Sequence, residues 1–251
     1  MDMITLAALA AVALLAGFVD SIAGGGGLLT VPALLLSGLD PAATLATNKL
    51  QGSFGTASAT YTFWKKGLVE PRQHVLSVCT CFAGAALGAL TVNYAPKDLL
   101  SLIMPPLLIL IALYFAFAPK MNELSSAPRL PAATFSFFFA PFLGFYDGIF
   151  GPGTGSFIML ALITLFGVGL VEATGRTKLF NFTSNFASLL VFVLGGKVVW
   201  FTGLVMGLSQ FIGAQLGARL AIKSGARIIR PLLVVVCLSM AARLLWSRFA
   251  G

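Results

Sequence analysis

Residues 17–27 read GFVDSIAGGGG and interrupt the first apolar part of the chain. An apolar run at 3–22 ends in this segment, and a shorter apolar run at 28–36 follows its four glycines. Residues 144–155 read GFYDGIFGPGTG and interrupt the second half of the chain in the same way. Because glycine and proline end helices, both segments predict a helix that is broken inside an apolar stretch.

The composition places the chain in a lipid bilayer. Of its 251 residues, 58% are hydrophobic and only 10% are charged, and the mean hydropathy is +0.97. Soluble domains carry about 25% charged residues, so this chain cannot build a water-exposed surface. Its length allows about 8–10 membrane helices of about 20 residues each, which predicts an all-α integral membrane fold. The net charge of +8 lies mostly in short loops, as membrane topology requires, and we expect no nucleic-acid partner.

The apolar runs predict two membrane repeats joined by a polar loop. The first repeat covers residues 1–118, the linker loop covers 119–130 and the second repeat covers 131–251. The predicted helical runs are 3–22, 28–36, 42–64, 74–92, 99–118, 131–150, 157–170, 173–194, 198–222 and 231–246.

The two halves resemble each other in sequence at a nearly constant offset. Asp20 matches Asp147 at an offset of 127 residues, and Lys49 matches Lys178 at an offset of 129. The segment FAGAALGA at 82–89 likewise matches FIGAQLGA at 211–218. Matches that share one register and include charged residues indicate an internal duplication.

The basic loops predict that the repeats are inverted. If the loop at 65–72 is cytoplasmic, an odd number of crossings in each half also places the basic residues at 223–230 in the cytoplasm. Only three basic residues then lie outside: Lys97, Lys197 and Arg248. Either five spans per half, or three spans and a re-entrant hairpin at the break, give an odd number. Residues 28–36 are too short to cross a core of about 30 Å, which favours broken or re-entrant helices opening each repeat.

The breaks are candidate binding sites. Irregular backbone inside a membrane is tolerated only where it is buried in protein or lines a cavity. Matching broken helices in inverted repeats point to the site of a secondary transporter. The helix that follows each break would direct free N–H groups and a positive dipole end at the site, which suits an anion near Gly25, Gly26 and Gly153. The alternative is that these glycines only permit tight packing.

Four charged residues lie inside apolar runs or at the breaks: Asp20, Lys49, Asp147 and Lys178. A charge at the bilayer centre costs at least about 2.5–3.5 kcal/mol, so such residues are paired or functional. One interpretation is structural: two Asp–Lys bridges hold the broken helices. The other is functional: the lysines attract an anion, and the aspartates orient them or carry protons. The two interpretations can coexist.

Polar side chains surround both lysines. Helical spacing places Asn48 and Gln51 on one face, and Asn181 and Asn185 on another. With Thr177, these groups form a set of hydrogen-bonding side chains that suits the oxygens of a small oxyanion. We therefore predict a substrate site comprising Asn48, Lys49, Gln51, Thr177, Lys178, Asn181, Asn185, Gly25, Gly26 and Gly153, with Asp20 and Asp147 as coupling or structural charges. No catalytic or metal-binding group is predicted.

Other polar residues have two interpretations each. Gln210 and Gln215 line the transport path or pack between helices. Glu172 and Arg176 have helical spacing and suit a surface ion pair. His74, the only histidine, lies at a loop edge and is interpreted as interfacial.

The motifs at the two breaks and around Lys49 resemble those of a known family. The pattern at residues 17–32, followed by ATLATNKLQG at 43–52, resembles the TauE/SafE sulfite exporter family, also called the TSUP family. The second-half stretch at 144–155 is similar too, although Pro152 and Thr154 replace glycines, which leaves the equivalence of the two breaks open. The resemblance implies a multi-pass transporter of the bacterial plasma (inner) membrane. Its substrates would be small anions, often sulfite, thiosulfate, sulfoacetate or related organosulfonates.

These observations together predict a secondary transporter of a small anion, acting as an exporter by alternating access between the repeats. No cofactor is expected, and the partners are the anion and the lipid bilayer, with a homodimer also possible. An anion channel is one alternative. A non-transporting membrane subunit and an intramembrane enzyme are others, although an enzyme would need a nucleophile and a base within reach of each other.

Overall fold

The computed structural model describes residues 1–116 and 127–224, and every regular element within them is helical. The first half contributes α1 (Met3–Ala23), α2 (Gly26–Leu36), α3 (Pro41–Lys65), a 3-10 turn (Pro71–His74), α4 (Val75–Tyr94) and α5 (Lys97–Ala116). The second half contributes α6 (Ala132–Ile149), α7 (Thr154–Thr164), α8 (Leu170–Leu194) and α9 (Trp200–Ser224). The predicted run 231–246, most of the linker loop, and Arg227, Arg230 and Arg248 lie outside the described residues.

Aspartate side chains begin two of the first-half helices, α1 and α3. The carboxylate of Asp2 accepts the backbone N–H of Thr5 at the start of α1. Before α3, the carboxylate of Asp40 accepts the N–H groups of Ala42 and Ala43, and Pro41 occupies the first helical position. These contacts satisfy N–H groups that a helix start leaves without intrahelical partners.

The second short helix differs from its prediction. The apolar run at 157–170 predicted one continuous segment, but α7 begins at Thr154 and ends at Thr164. Gly167 has a φ of +67°, a left-handed conformation that ends a helix, and α8 begins at Leu170. The apolar residues 165–169 therefore form a connection, which uniform hydrophobicity could not reveal.

Helix α6 contains a π-helical turn at Phe135–Phe139. Pro141 follows the turn and has no N–H to donate back into it. The carbonyl of Ser136 accepts the hydroxyl of Thr80 at 2.7 Å, and the hydroxyls of Ser136 and Ser77 lie 2.8 Å apart. Side chains of α4 thus bond to the irregular turn of α6.

The halves are interlaced. Helix α1 of the first half packs along α9 of the second, and α4 packs along α6. Both contacts are made by glycines: Gly84 and Gly88 of α4 lie against backbone carbonyls of α6, and Gly213 and Gly217 of α9 lie against backbone carbonyls of α1. The two G-x-x-x-G pairs therefore permit close helix approach, as small residues do in membranes.

The surface is apolar and the centre is polar. Large apolar side chains point outward, among them Leu87, Leu102, Phe138, Phe142 and Leu208. Among the described residues, four helical segments are long and apolar enough to cross a membrane: Met3–Ala23, Pro71–Tyr94, Ala132–Ile149 and Leu170–Leu194. The long helix α3 buries most of its threonines, serines and amides, which lowers its hydropathy although it lies inside the bundle. The all-helical membrane fold is confirmed.

Gly84→Leu tests the glycine contact between α4 and α6. A Cβ at Gly84 would meet the backbone carbonyl of Pro141, which cannot move away as a flexible side chain could. Overpacking lowers the free energy of unfolding by about 1–3 kcal/mol in cores that can adjust. We expect a loss of at least this size for Gly84→Leu, and therefore a lower melting temperature. The measurement is the melting temperature of the purified protein in detergent. Ala83→Leu, on the exposed face of the same turn, is the control and should leave it unchanged; equal losses would contradict the packing account.

Candidate functional site

The two broken helices meet at their breaks. Gly25 precedes α2 with a φ of +94°, and Gly153 precedes α7 with a φ of +86°. The hydroxyl of Ser156 in α7 donates to the carbonyl of Ala23, the last residue of α1, at 2.9 Å. A Cβ on Gly24 would lie 2.5 Å from the backbone nitrogen of Ser156, so no larger residue fits there. Each break is thus in direct contact with the other.

The second break has the same construction as the first despite its Pro152 and Thr154. In each, a left-handed glycine immediately precedes the short helix. The hydroxyl of Thr154 donates to the carbonyl of Gly151 at 2.7 Å, and the hydroxyl of Tyr146 donates to the carbonyl of Pro152 at 2.7 Å. These hydroxyls donate hydrogen bonds to backbone carbonyls, which lipid cannot do because it has no donors.

Asp20 connects the first break to the second half. One of its carboxylate oxygens accepts the N–H of Gly26, the first residue of α2, at 3.0 Å. The other oxygen lies 3.0 Å from Nζ of Lys178 on α8, and the backbone carbonyl of Asp20 accepts from the same ammonium group. Lys178 is fully buried. The lysine of the second half therefore pairs with the aspartate of the first.

The second ion pair joins the lysine of the first half to the aspartate of the second half. Nζ of Lys49 on α3 lies 2.9 Å from a carboxylate oxygen of Asp147 on α6, and both side chains are buried. The two groups are close but are not aligned as a hydrogen bond. Both pairs join a long helix of one half to the break of the other half. Each lysine therefore forms an ion pair with an aspartate of the other half.

A polar cavity of about 30 Å³ lies between the breaks. This volume holds about two water molecules. Many of its lining residues were predicted: Asp20, Gly25, Asn48, Asp147, Gly153, Asn181 and Asn185. The remaining lining residues are Gly27, Gly52, Thr56, Gly151, Gly155 and Gln210.

Five predicted site residues are not among the lining residues: Gly26, Lys49, Gln51, Thr177 and Lys178. Lys49 and Lys178 are engaged by the aspartates, and the N–H of Gly26 is bound to Asp20. The amide of Gln51 donates to the side-chain oxygen of Asn48 at 2.9 Å and holds that residue at the cavity. The lysines therefore lie behind the aspartates, and their role as direct anion ligands stays a prediction.

Gly52 and Thr56 line the cavity but were not predicted, although they follow the helical periodicity of α3 from Asn48. Positions 48, 52 and 56 of α3 lie one helical turn apart, and all three line the cavity. The repeat offset of 129 pairs Gly52 with Asn181, and Thr56 with Asn185. Extending the helical face from Asn48 would have found both positions, although glycine and threonine carry no signal of their own.

The electrostatic character of the cavity comes mainly from the helix ends. Gly27 and Gly155 are each the second residue of a short helix, and both line the cavity. N–H groups in the first turn have no intrahelical acceptor, and a helix N-terminus carries about half a positive charge. Each aspartate is neutralised by its lysine. The cavity therefore combines two positive helix ends with the neutral amides of Asn181, Asn185 and Gln210.

Apolar helices that enclose a polar cavity between two interrupted helices are typical of membrane transport proteins. The sequence comparison agrees: residues 9–244 match the family described as sulfite exporter TauE/SafE. The chain belongs to this family.

Its relatives are named as transporters. A probable membrane transporter protein, ORF9, of Sinorhizobium sp is 50% identical over 240 residues, which cover 96% of this chain and 92% of the relative. The probable membrane transporter protein YfcA of Escherichia coli K12 is 48% identical over 236 residues, covering 94% of this chain and 88% of the relative. One from Haemophilus influenzae is 42% identical over 243 residues, covering 97% and 95%. No solved structure gives a significant match.

Replacing one member of the Lys49–Asp147 pair should destabilise the fold more than replacing both. Asp147→Leu leaves a buried ammonium group without its partner, which costs about 3–5 kcal/mol. The double variant Lys49→Met with Asp147→Leu should recover most of that loss. The measurement is the free energy of unfolding in detergent micelles.

The control for this experiment is Glu172→Gln. Glu172 forms an ion pair with Arg176 that is partly exposed, as its helical spacing predicted. Such pairs contribute about 0–1 kcal/mol, so the control should be nearly neutral. A double variant that is as unstable as Asp147→Leu would show that the buried pair does not act as a unit.

Proposed function

We propose that this membrane transporter exports small sulfur-containing oxyanions such as sulfite, thiosulfate or organosulfonates, by alternating access. The observation that carries the proposal is the convergence of two helix N-termini on one small polar cavity. Such ends bind anions through free N–H groups and the helix dipole. The neutralised aspartates add no net negative charge to the cavity, and the surrounding amides offer hydrogen bonds to oxyanion oxygens.

The chain contacts support a re-entrant hairpin at the second break. The backbone N–H groups of Arg129 and Leu130, just before α6, both donate to the carbonyl of Leu165, just after α7. The two ends of the α6–α7 segment therefore lie at the same end of the bundle. On this basis α6 and α7 enter and leave on one side, although α6 by its length and composition could cross.

The distribution of charge supports inverted repeats. Helices α3 and α9 run side by side in the same direction, because Thr47 contacts Val199 and Ser58 contacts Phe211. One end of the bundle, here called the basic end, therefore carries Lys65, Lys66, Arg72, Arg129, Arg176, Arg219 and Lys223. Lys97 and Lys197 lie at the other end, where Asn93 bonds to the carbonyl of Val191. By the positive-inside rule the basic end is cytoplasmic, which fits a bacterial inner membrane.

A carrier is favoured over a channel because the cavity is small. The space of about 30 Å³ between two breaks in contact holds only about two water molecules, too little for a wide aqueous pore. Movement of an anion then requires the helices around the breaks to rearrange.

The choice of sulfur oxyanions and of export rests on the family description, sulfite exporter TauE/SafE.

The test is transport in proteoliposomes loaded with ³⁵S-labelled sulfite or thiosulfate, with sulfate and acetate for comparison. Asn181→Ala removes a cavity amide, and a lost hydrogen bond to a charged ligand costs about 1.5–3 kcal/mol, so the flux should fall at least about tenfold. Lys178→Ala should also abolish flux, because it leaves Asp20 as a net negative charge at the cavity.

The control is Asn93→Ala, which removes a part-buried amide that bonds to Val191 outside the cavity. It should leave flux unchanged. If wild-type protein moves none of these anions, the proposed substrate class is wrong. If Asn181→Ala and Lys178→Ala both transport normally, the site is elsewhere.

A further inference from the structure

A second, larger cavity opens at the basic end. Its volume is about 560 Å³, and it lies between the start of α4, the start of α6, the end of α7 and α8. We call it the basic-end vestibule and define it by His74, Phe135, Ser136, Phe166, Arg176 and Phe180. It has apolar walls, and a histidine and an arginine among its lining residues. Its size is sufficient for a hydrated small anion.

Phe180 lines the vestibule and directly precedes a residue of the central cavity. Its ring is almost completely buried, with 2% exposed, and packs 5.0 Å from the ring of Phe135 and 6.0 Å from that of His74, between centroids. The next residue, Asn181, lines the central cavity. The thiol of Cys81 donates a weak hydrogen bond to the carbonyl of Phe180. One aromatic side chain therefore borders the vestibule one residue from the central cavity.

The region at the other end that corresponds to the vestibule holds a buried apolar cluster. The repeat offsets pair the vestibule with the start of α9, the start of α1 and the end of α2. There Leu9, Leu34 and Met206 form a buried apolar cluster. The backbone N–H of Val199 also donates to the hydroxyl of Thr47 at 3.1 Å, which ties the start of α9 to α3.

Phe180 and its counterpart in the first half differ in chemistry. Phe180 corresponds to Gln51 at an offset of 129, and Arg176 corresponds to Thr47. Gln51 is fully buried and bonds to Asn48. The aromatic residue Phe180 of the basic end is thus replaced by an amide at the corresponding position of the first half.

We propose that Phe180 is the gate between the basic-end vestibule and the central cavity, and that the structure represents the state open towards the basic end. A small anion passes between vestibule and cavity when this ring rotates away. Opening at the other end requires the Leu9–Leu34–Met206 cluster to separate while the vestibule closes. The assignment of the anion rests on the proposed function; the position of the barrier does not.

Access of a membrane-impermeant methanethiosulfonate reagent tests the gate without any transport measurement. Cys79, Cys81 and Cys237 are replaced by alanine or serine, and Thr56→Cys then supplies a single thiol in the central cavity. Inverted vesicles expose the basic end, and right-side-out vesicles expose the other. Without a further change, this thiol should react slowly from both sides. Adding Phe180→Ala should raise its reaction rate from the basic end at least about tenfold, which corresponds to an opening free energy lower by about 1.4 kcal/mol.

Phe192→Ala is the matched control, since Phe192 is a buried phenylalanine of the same helix and is not a vestibule residue. It should not change the reaction rate. Phe180→Leu is a milder variant with an intermediate effect, in case Phe180→Ala does not fold. Ser136→Cys should react readily from the basic end, and Leu9→Cys should react from neither side.

Several results would overturn the gate. One is rapid reaction of the Thr56→Cys thiol with Phe180 intact. Another is no acceleration by either Phe180 variant, or acceleration only from the opposite end. An unreactive Ser136→Cys thiol would show that the vestibule is a dry crevice. Because none of these outcomes depends on flux, a protein that fails to transport sulfur oxyanions can still confirm the gate.

Discussion

A lipid bilayer offers no hydrogen bonds, so a helix broken inside it must find partners for its free backbone groups within the protein. This constraint shapes the centre of the molecule. The N–H of Gly26 is bound by Asp20, the carbonyl of Ala23 accepts the hydroxyl of Ser156, and the carbonyl of Gly151 accepts that of Thr154. Most of these partners come from the break itself or from the other break. The two breaks therefore stabilise one another, and the small polar cavity lies between them.

The ion pairs extend this mutual dependence to the long helices. Lys49 of the first half pairs with Asp147 of the second, and Lys178 of the second pairs with Asp20 of the first. The glycine contacts of α1 with α9 and of α4 with α6 also cross between halves. Neither half is complete alone, so a conformational change in which two intact halves separate would break both ion pairs.

The sequence predicted the membrane fold, the breaks and the four buried charges, because each leaves a strong local signal. Asp20 and Lys178 stand out in apolar runs, and four successive glycines cannot be an ordinary membrane helix. The crossing of the ion pairs could not be predicted, since an offset shows which residues correspond but not which helices meet. Gly52 was missed because a glycine that lines a cavity looks like one that packs. The position of the lysines behind the aspartates depends on side-chain directions that only the structure shows.

The central claim is that the two helix ends form an anion site, and a selenium analogue tests it most directly. Selenite has the same shape and charge type as sulfite, and its anomalous scattering locates it in a crystal of the protein. The account predicts a selenium peak between α2 and α7, with selenite oxygens about 3 Å from the N–H groups of Gly27 and Gly155. A peak elsewhere in the bundle, with this cavity empty at saturating selenite, would contradict it.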